Sequence, residues 1–191
     1  ISEGLIFENW SVESFDIEKL KGTYRDVNRP QFTARFGMDF GFSQDPTAFV
    51  FALVDEIKRE IYICQEIYKT HMLIDDMYDA IKKLGFDECE IVADSAQPGT
   101  IAELKKRGLH RIKPAKKGQN SVRDGIARLQ DYRIIIHPRC VNAAIEFSNY
   151  VWEKDKMTAQ LTSRPCDDFN HLIDALRYAT EGLGRVAFRW N

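Results

Sequence analysis

The stretch RFGMDFGFSQDPTAFVFALVD, residues 35–55, places Asp39 inside an apolar run and follows it with Gly41. An ionised carboxylate in an apolar site costs several kcal/mol unless it is paired or bound to a cation. Asp39 therefore needs a compensating partner, which other parts of the chain must supply.

The pattern around this stretch predicts three consecutive strands. The segments TARFGMDFG (33–41) and TAFVFALVD (47–55) are apolar and are joined by a turn containing SQDP. After a charged turn, EIYICQEIY (60–68) has the composition of a third strand. Strands this closely spaced form an antiparallel meander.

From residue 73 onward the pattern predicts helices and strands in alternation, which implies parallel strands covered by helices. The predicted segments are LIDDMYDAIKKLG, CEIVADSA, PGTIAELKKRG, RIKPAK, SVRDGIARLQDY, RIIIHP and VNAAIEFSNYVW. EKDKMTAQLTS predicts a hairpin, and DDFNHLIDALRYATEGL (167–183) predicts a closing amphipathic helix. We therefore expect an α/β fold, and the order of three antiparallel strands before parallel ones resembles that of the ribonuclease H-like mixed sheet.

Two further carboxylates occupy settings like that of Asp39. Asp94 ends the apolar strand IVADSA, and Asp174 lies among apolar residues in HLIDALRYA, three residues after His171 and on the same helix face. Taken alone, each acid is better explained as a strand-end cap or a salt bridge, but three of them in this order favour a shared metal site. Three converging carboxylates would repel one another unless divalent cations neutralised them. Oxygen ligands favour magnesium or manganese, and a pair of such ions can clamp a phosphodiester. Gly41 would let that phosphate approach closely.

Composition describes a soluble intracellular protein. The 191 residues are 44% hydrophobic with a net charge of −2, and no apolar run approaches the roughly 18 residues of a membrane span. Four cysteines without CxxC spacing predict reduced core thiols. The chain begins at Ile1 and not at methionine, so we expect a fragment that lacks an N-terminal partner domain.

A basic run lies between residues 105 and 117, after an acidic segment at 75–90. One face could therefore bind nucleic acid although the whole chain is acidic, and a solvated charged helix face is the alternative. Ser121 opens a predicted helix whose amides favour an anion, or it is a plain helix cap. The candidate DNA phosphate contacts are Lys113, Lys116, Lys117 and Ser121. Asp45, Asp167 and Asp168 are expected in turn and helix-start roles.

Four runs together resemble the nuclease domain of the large terminase subunit of tailed bacteriophages, over roughly residues 33–183. They are MDFGFSQDPTAFV, IVADSAQP, KPAKKGQNSVRDGI and HLIDALRYA. The resemblance implies a metal-dependent endonuclease that cuts concatemeric double-stranded DNA during genome packaging in the cytoplasm of an infected bacterial host. It implies two Mg²⁺ or Mn²⁺ ions held by Asp39, Asp94 and Asp174, with His171 as an accessory catalytic residue.

The resemblance also implies partners and a domain division. The partners are double-stranded DNA, the terminase ATPase domain, the small terminase subunit and the portal protein, with no membrane involved. No GxxxxGK[ST] motif occurs, so this chain cannot power translocation by itself. Residues 1–32 are predicted to be an N-terminal arm or connecting hairpin, residues 33–191 the nuclease domain, and residues 153–164 a hairpin flanking the active site.

Three alternatives remain. Junction resolvases and other ribonuclease H-like nucleases share the element order. MDFG also resembles the first phosphate motif of actin-like ATPases, but the chain has no Gly-Gly pair and no second Asp-Gly phosphate turn. A catalytically inactive binding module is disfavoured because all three carboxylates are present.

Overall fold

A seven-stranded mixed sheet organises the chain in a computed structural model that describes residues 3–26, 29–116 and 118–183. The strands are β1 (Trp10–Val12), β2 (Tyr24–Asp26), β3 (Arg29–Pro30), β4 (Thr33–Asp39), β5 (Thr47–Asp55), β6 (Glu60–Lys69), β7 (Ile91–Ala93), β8 (Ile112–Pro114), β9 (Arg133–Ile136), β10 (Trp152–Lys154) and β11 (Leu161–Pro165). The helices are α1 (Ile17–Lys21), α2 (Ile74–Lys83), α3 (Pro98–Arg107), α4 (Ser121–Gln130), α5 (Val141–Asn149) and α6 (His171–Ala179).

The order of strands in the main sheet is β1-β9-β6-β5-β4-β7-β8. Strands β4, β5 and β6 pair antiparallel, as the meander pattern predicted, and the remaining pairs in this sheet are parallel. The strands β10 and β11 form the predicted antiparallel hairpin. The predicted fold class is therefore confirmed.

Part of the segment 1–32 belongs to the main sheet. Strand β1 pairs parallel with β9, with Trp10 opposite Ile134, and the side-chain amide of Asn9 donates to the carbonyl of Leu129 at 2.9 Å. Nearby, Phe7 is fully buried. The expected hairpin is present as β2 and β3. The arm also contributes the edge strand β1, whose three residues are too few for a periodic pattern to reveal it. A domain boundary at residue 33 stays a prediction.

Helices cover both faces of the sheet, which explains why β5 reads as an uninterrupted apolar run. Its side chains alternate between two clusters: Val50 joins Phe147 and Leu172 on one side, while Phe51 joins Leu104 on the other. The second cluster also contains Met77 of α2. Every residue of β5 is buried, so the strand forms the centre of the fold.

Helix α6 crosses β4 at very close range. A Cβ atom on Gly37 would overlap the carbonyl oxygen of Ala175, so only glycine permits this approach. The helix begins at His171 after the N-cap Asn170, four residues later than the predicted start at 167. A left-handed backbone at Phe169, with φ of 55°, forms the turn that replaces the missing first turn.

The cysteines are all free thiols, as predicted, although their burial differs. Cys64 and Cys140 are buried, whereas Cys89 and Cys166 are partly exposed. None of the helices in the described ranges has the length and apolar character that crossing a bilayer requires.

Candidate active site

Adjacent strands bring Asp39 and Asp94 to the same edge of the sheet. Asp39 is the last residue of β4, and Asp94 follows β7, which pairs parallel with β4 through Met38 and Ala93. The backbone N–H of Asp94 donates to the carbonyl of Met38 at 2.9 Å. Two apolar strands thus end in neighbouring carboxylates, where sites in α/β sheets are commonly built.

Helix α6 supplies the third carboxylate and the histidine, and a buried side chain of α5 fixes where this helix begins. Oε2 of Glu146 accepts the backbone N–H groups of Leu172 and Ile173, at 2.7 and 3.0 Å. These are first-turn donors that have no partner within the helix. Because Glu146 is only 1% exposed, its cap is rigid, and it sets the position of both His171 and Asp174.

His171 contacts Asp39 directly. Its Nδ1 lies 3.3 Å from Oδ2 of Asp39, and its Nε2 lies 3.9 Å from Oδ1 of Asp45. The hydrogen bond to Asp39 raises the pKa of His171, and burial opposes it. Burial raises the pKa of Asp39 from 3.8 to about 6, although the bond to His171 opposes that change.

Asp174 is held by an arginine on its own helix. Nε and Nη2 of Arg177 both donate to Oδ1 of Asp174, at 3.0 and 2.9 Å. Burial raises the pKa of Asp174, and the charge and hydrogen bonds of Arg177 act in the opposite direction. The pair is therefore a nearly buried ion pair next to the other two carboxylates.

The three carboxylates act on one another electrostatically. Burial is the largest cause of the raised pKa of Asp39, and the charges of Asp174 and Asp94 raise it further. The charge of Asp94 also raises the pKa of Asp174. A hard divalent cation fits this donor set, because it would remove the repulsion and prefers oxygen ligands. No group of three or more His, Cys, Asp or Glu side chains in the described ranges is already arranged to hold an ion. Binding one therefore requires a rearrangement of at least one of these side chains.

A groove of about 510 Å³ continues from this cluster. Asp94 and Arg177 line one part of it, and Lys116 and Ser121 line another. Ser121 is the first residue of α4, and Asn120 is the N-cap, so the alternative that Ser121 is the cap is wrong. The backbone N–H of Lys116 donates to the carboxylate of Glu181, at 3.0 Å to Oε2.

Of the other two predicted DNA contacts, Lys113 and Lys117, the structure describes only Lys113. Lys113 is not in the groove lining, and its Nζ lies 2.8 Å from Oε1 of Glu90. Lys117 lies outside the described residues. Arg107 of the same basic run pairs with Asp75 at 2.6 Å, so acids from the preceding segment neutralise part of the run. This pairing favours the solvated-surface interpretation for Arg107 and Lys113.

The expectation that Gly41 leaves room for a phosphate is wrong. A Cβ atom there would overlap the carbonyl oxygen of Asp45, so the space beside Gly41 is filled by the backbone of its own loop. The N–H of Gly41 donates to Oγ1 of Thr47 at 3.2 Å. Gly41 thus closes the loop that carries Asp45 toward His171.

Comparison with known proteins agrees with the fold. The Terminase RNAseH like domain model matches residues 39–182, a range that begins at Asp39 and includes Asp94, His171 and Asp174. The chain belongs to this terminase family. The match excludes the actin-like ATPase alternative, because a terminase nuclease model covers residues 39–182.

Individual terminases show how similar the chain is to characterised members. It is 36% identical over 179 residues to the terminase large subunit of Bacillus phage SPP1, covering 92% of this chain and 40% of that protein. A crystal structure of the SPP1 nuclease domain with bound Mn superposes with a TM-score of 0.77, at 36% identity over 91% of this chain and 96% of that one. The nuclease of thermophilic phage G20c with bound magnesium shares the fold, with a TM-score of 0.61 at 18% identity, covering 94% of this chain and 97% of that one.

Three residues at this candidate site escaped the sequence interpretation. Arg177 lies three positions after Asp174, a spacing that allows an ion pair on one helix face and could have revealed it. Asp45 was assigned only a turn role. Glu146 had no local signal, because its partners on α6 are more than 25 residues away in the chain.

Proposed function

We propose that this chain is the nuclease domain of a phage large terminase subunit and acts as a metal-dependent endodeoxyribonuclease. Asp39, Asp94 and Asp174 would hold two divalent ions, Mg²⁺ or Mn²⁺. The observation that carries the proposal is the proximity of these carboxylates, which lie at the ends of β4 and β7 and on α6, where the charges of Asp94 and Asp174 both act on Asp39. The Mn-bound SPP1 nuclease domain at 36% identity supports the choice of cation.

The surrounding residues have separate tasks in this mechanism. Two bound cations would lower the pKa of the attacking water and stabilise the oxygen that leaves phosphorus. His171 orients Asp39 through its 3.3 Å contact, so that this carboxylate keeps one direction. Lys116 and Ser121 line the groove that reaches Asp94, where they would contact the phosphates on either side of the cut.

The substrate and partners follow from the family and not from this chain's own contacts. We propose that it cuts concatemeric double-stranded DNA during genome packaging, in the cytoplasm of an infected bacterial host. The chain spans 40% of the length of the SPP1 large subunit. An ATPase domain, a small terminase subunit and a portal protein are the proposed partners, and residues 33–191 the proposed nuclease unit.

Plasmid cleavage tests the proposal. The chain is incubated with supercoiled plasmid and Mn²⁺, with and without chelator, and compared with Asp39→Asn, Asp94→Asn and Asp174→Asn. Asp131→Asn is the matched control, because Asp131 is exposed at the far end of α4. We expect the three site variants to lose cleavage and the control to retain it.

Two results would remove the proposal: cleavage that survives chelation, or substantial cleavage by two of the three site variants. A four-way junction offered beside a linear duplex separates the remaining alternative. A junction resolvase would cut the junction and leave the duplex intact.

A further inference from the structure

Arg177 is the most deeply buried charged partner of the carboxylate cluster. The residue is 5% exposed, and two of its guanidinium nitrogens bond to the same oxygen of Asp174. Its third nitrogen, Nη1, lies 3.4 Å from the carbonyl oxygen of Ser121 on α4. The guanidinium therefore spans from a proposed metal ligand to the wall of the groove.

Helix α4 has a place for this side chain. A Cβ atom on Gly125 would lie only 2.8 Å from Cδ of Arg177, so glycine provides the space for the arginine stem. The backbone carbonyl of Arg177 accepts a hydrogen bond from Nη2 of Arg128 at 3.1 Å, which links α6 to α4 next to this side chain. An arginine enclosed in this way keeps one orientation, unlike a flexible surface pair.

The ion pair engages only one of the two carboxylate oxygens of Asp174. Both bonds from Arg177 go to Oδ1, and Oδ2 receives neither. A fixed positive charge this close also offsets part of the negative charge that would attract a cation. Burial opposes the charged form of Arg177, but Asp174 more than compensates and raises the pKa of the guanidinium, so its charge is permanent.

We propose that Arg177 is a positioning residue that balances the charge of Asp174. It holds Oδ1, presents Oδ2 to the metal site, and lowers the affinity of the DNA-free protein for divalent cations. Metal loading then depends on the negative charge that the DNA phosphate brings. The inference rests on the proposed function, because it assigns a role beside the proposed metal ligands.

Metal binding without DNA tests this inference. Mn²⁺ is titrated into Arg177→Gln and into the unchanged protein, with calorimetry as the readout. We expect Arg177→Gln to bind Mn²⁺ more tightly, on the order of tenfold, because a nearby positive charge is gone. At saturating Mn²⁺ its cleavage should fall on the order of tenfold, because Asp174 is no longer held in place. Arg177→Lys keeps the charge and should bind Mn²⁺ with the original affinity.

Arg133→Gln is the control, since Arg133 pairs with Glu60 at 2.8 Å at the opposite end of the sheet. It should leave Mn²⁺ affinity and cleavage unchanged. Unchanged or weaker Mn²⁺ binding by folded Arg177→Gln would overturn the inference and leave the proposed function standing. Cleavage retained by the aspartate variants would overturn the proposed function instead.

A measurement on the unchanged protein covers the case in which Arg177→Gln does not fold. The Nε–H of Arg177 is a protected hydrogen-bond donor, so its side-chain NMR signal should exchange slowly with water. Saturating Mg²⁺ should leave this protection in place, because the proposal keeps Arg177 on Oδ1 while the metal takes Oδ2. Loss of protection with Mg²⁺ would show that metal displaces the arginine, and the inference would fail.

Discussion

Oε2 of Glu146 accepts the backbone N–H of Leu172 at 2.7 Å, so a side chain of α5 caps the helix that carries the proposed catalytic residues. A second carboxylate caps the start of α5 in the same way. The carboxylate of Glu66 on β6 accepts the N–H groups of Asn142 and Ala143, both at 2.9 Å, at the start of α5. Two carboxylates, partly buried Glu66 and buried Glu146, thus link the position of the central sheet, through α5, to that of α6.

Removing the cap on α6 should lower both stability and cleavage. Glu146→Ala exposes two unpaired N–H groups and leaves a small cavity, which together cost about 2 kcal/mol. Glu146→Gln keeps an acceptor oxygen and should cost less. Urea unfolding measures the stability, with Glu18→Ala on the exposed face of α1 as the control. Equal stability of Glu146→Ala and the unchanged protein would show that the cap does not anchor α6.

Asp39 should make the metal-free protein less stable as pH rises. Burial raises the pKa of Asp39 from 3.8 to about 6, so between these values the folded state binds a proton that the unfolded chain has released. Stability contributed by this group is therefore greatest below pH 4 and falls until the pH passes about 6, by about 2–3 kcal/mol.

The variant Asp39→Asn cannot ionise, and it should avoid this loss. With chelator present, we expect it to be more stable than the unchanged protein at pH 7.5 and similar at pH 4, by urea unfolding at both values. Asp131→Asn controls for removal of a surface charge. A constant difference between Asp39→Asn and the unchanged protein at both pH values would contradict the role of burial.

Asp174→Asn should have the opposite effect, although both residues are proposed metal ligands. Arg177 is buried and loses its charged partner in this variant, and a buried cation without a counter-charge is costly. We expect a loss of about 2 kcal/mol at neutral pH in the absence of metal, measured by the same unfolding assay. If Asp174→Asn were as stable as Asp39→Asn, Arg177 would not depend on Asp174 for its burial.

These contrasts show what the sequence could and could not predict. The meander, the alternating elements and the position of Asp94 at a strand end follow from local patterns of apolar residues, which are read over a few positions. Asp39 was expected inside a strand over 33–41 but is the last residue of β4. The start of α6 at His171 depends on the distant Glu146, and β1 depends on pairing with β9, so neither leaves a local signal. Gly37, which was not singled out, proved to be the glycine that close packing requires, because that requirement comes from Ala175.

The lysines of the basic run should contribute unequally to DNA binding. Lys116 lines the groove beside Asp94, whereas Lys113 already pairs with Glu90 at 2.8 Å. Lys116→Gln should weaken binding to all sequences alike and reduce the slope of affinity against salt by about 1, because phosphate contacts carry no sequence information. Lys113→Gln should have a smaller effect. Salt titrations with two unrelated duplexes measure both, and equal losses for the two lysines, or a loss confined to one duplex, would contradict this assignment.

The isolated domain should bind divalent metal weakly and cut DNA with little sequence preference. Each proposed ligand already uses one oxygen within the protein: Oδ2 of Asp39 faces His171 at 3.3 Å, and Oδ1 of Asp94 accepts the N–H of Ala96 at 2.9 Å. Oδ1 of Asp174 is held by Arg177. Water and DNA phosphate must then complete the shell of each ion, so affinity without DNA should be about millimolar.

Manganese should outperform magnesium, because magnesium demands nearly octahedral geometry and gives up its water reluctantly, while manganese also accepts a nitrogen ligand such as His171. Calorimetric titration of each metal into the DNA-free chain tests the affinity, and cleavage of several unrelated plasmids tests the selectivity. Micromolar binding of Mg²⁺ without DNA would show that the three carboxylates form a closed site despite their internal bonds. A single discrete cut on every plasmid would show that the groove from Asp94 to Ser121 recognises bases as well as phosphates.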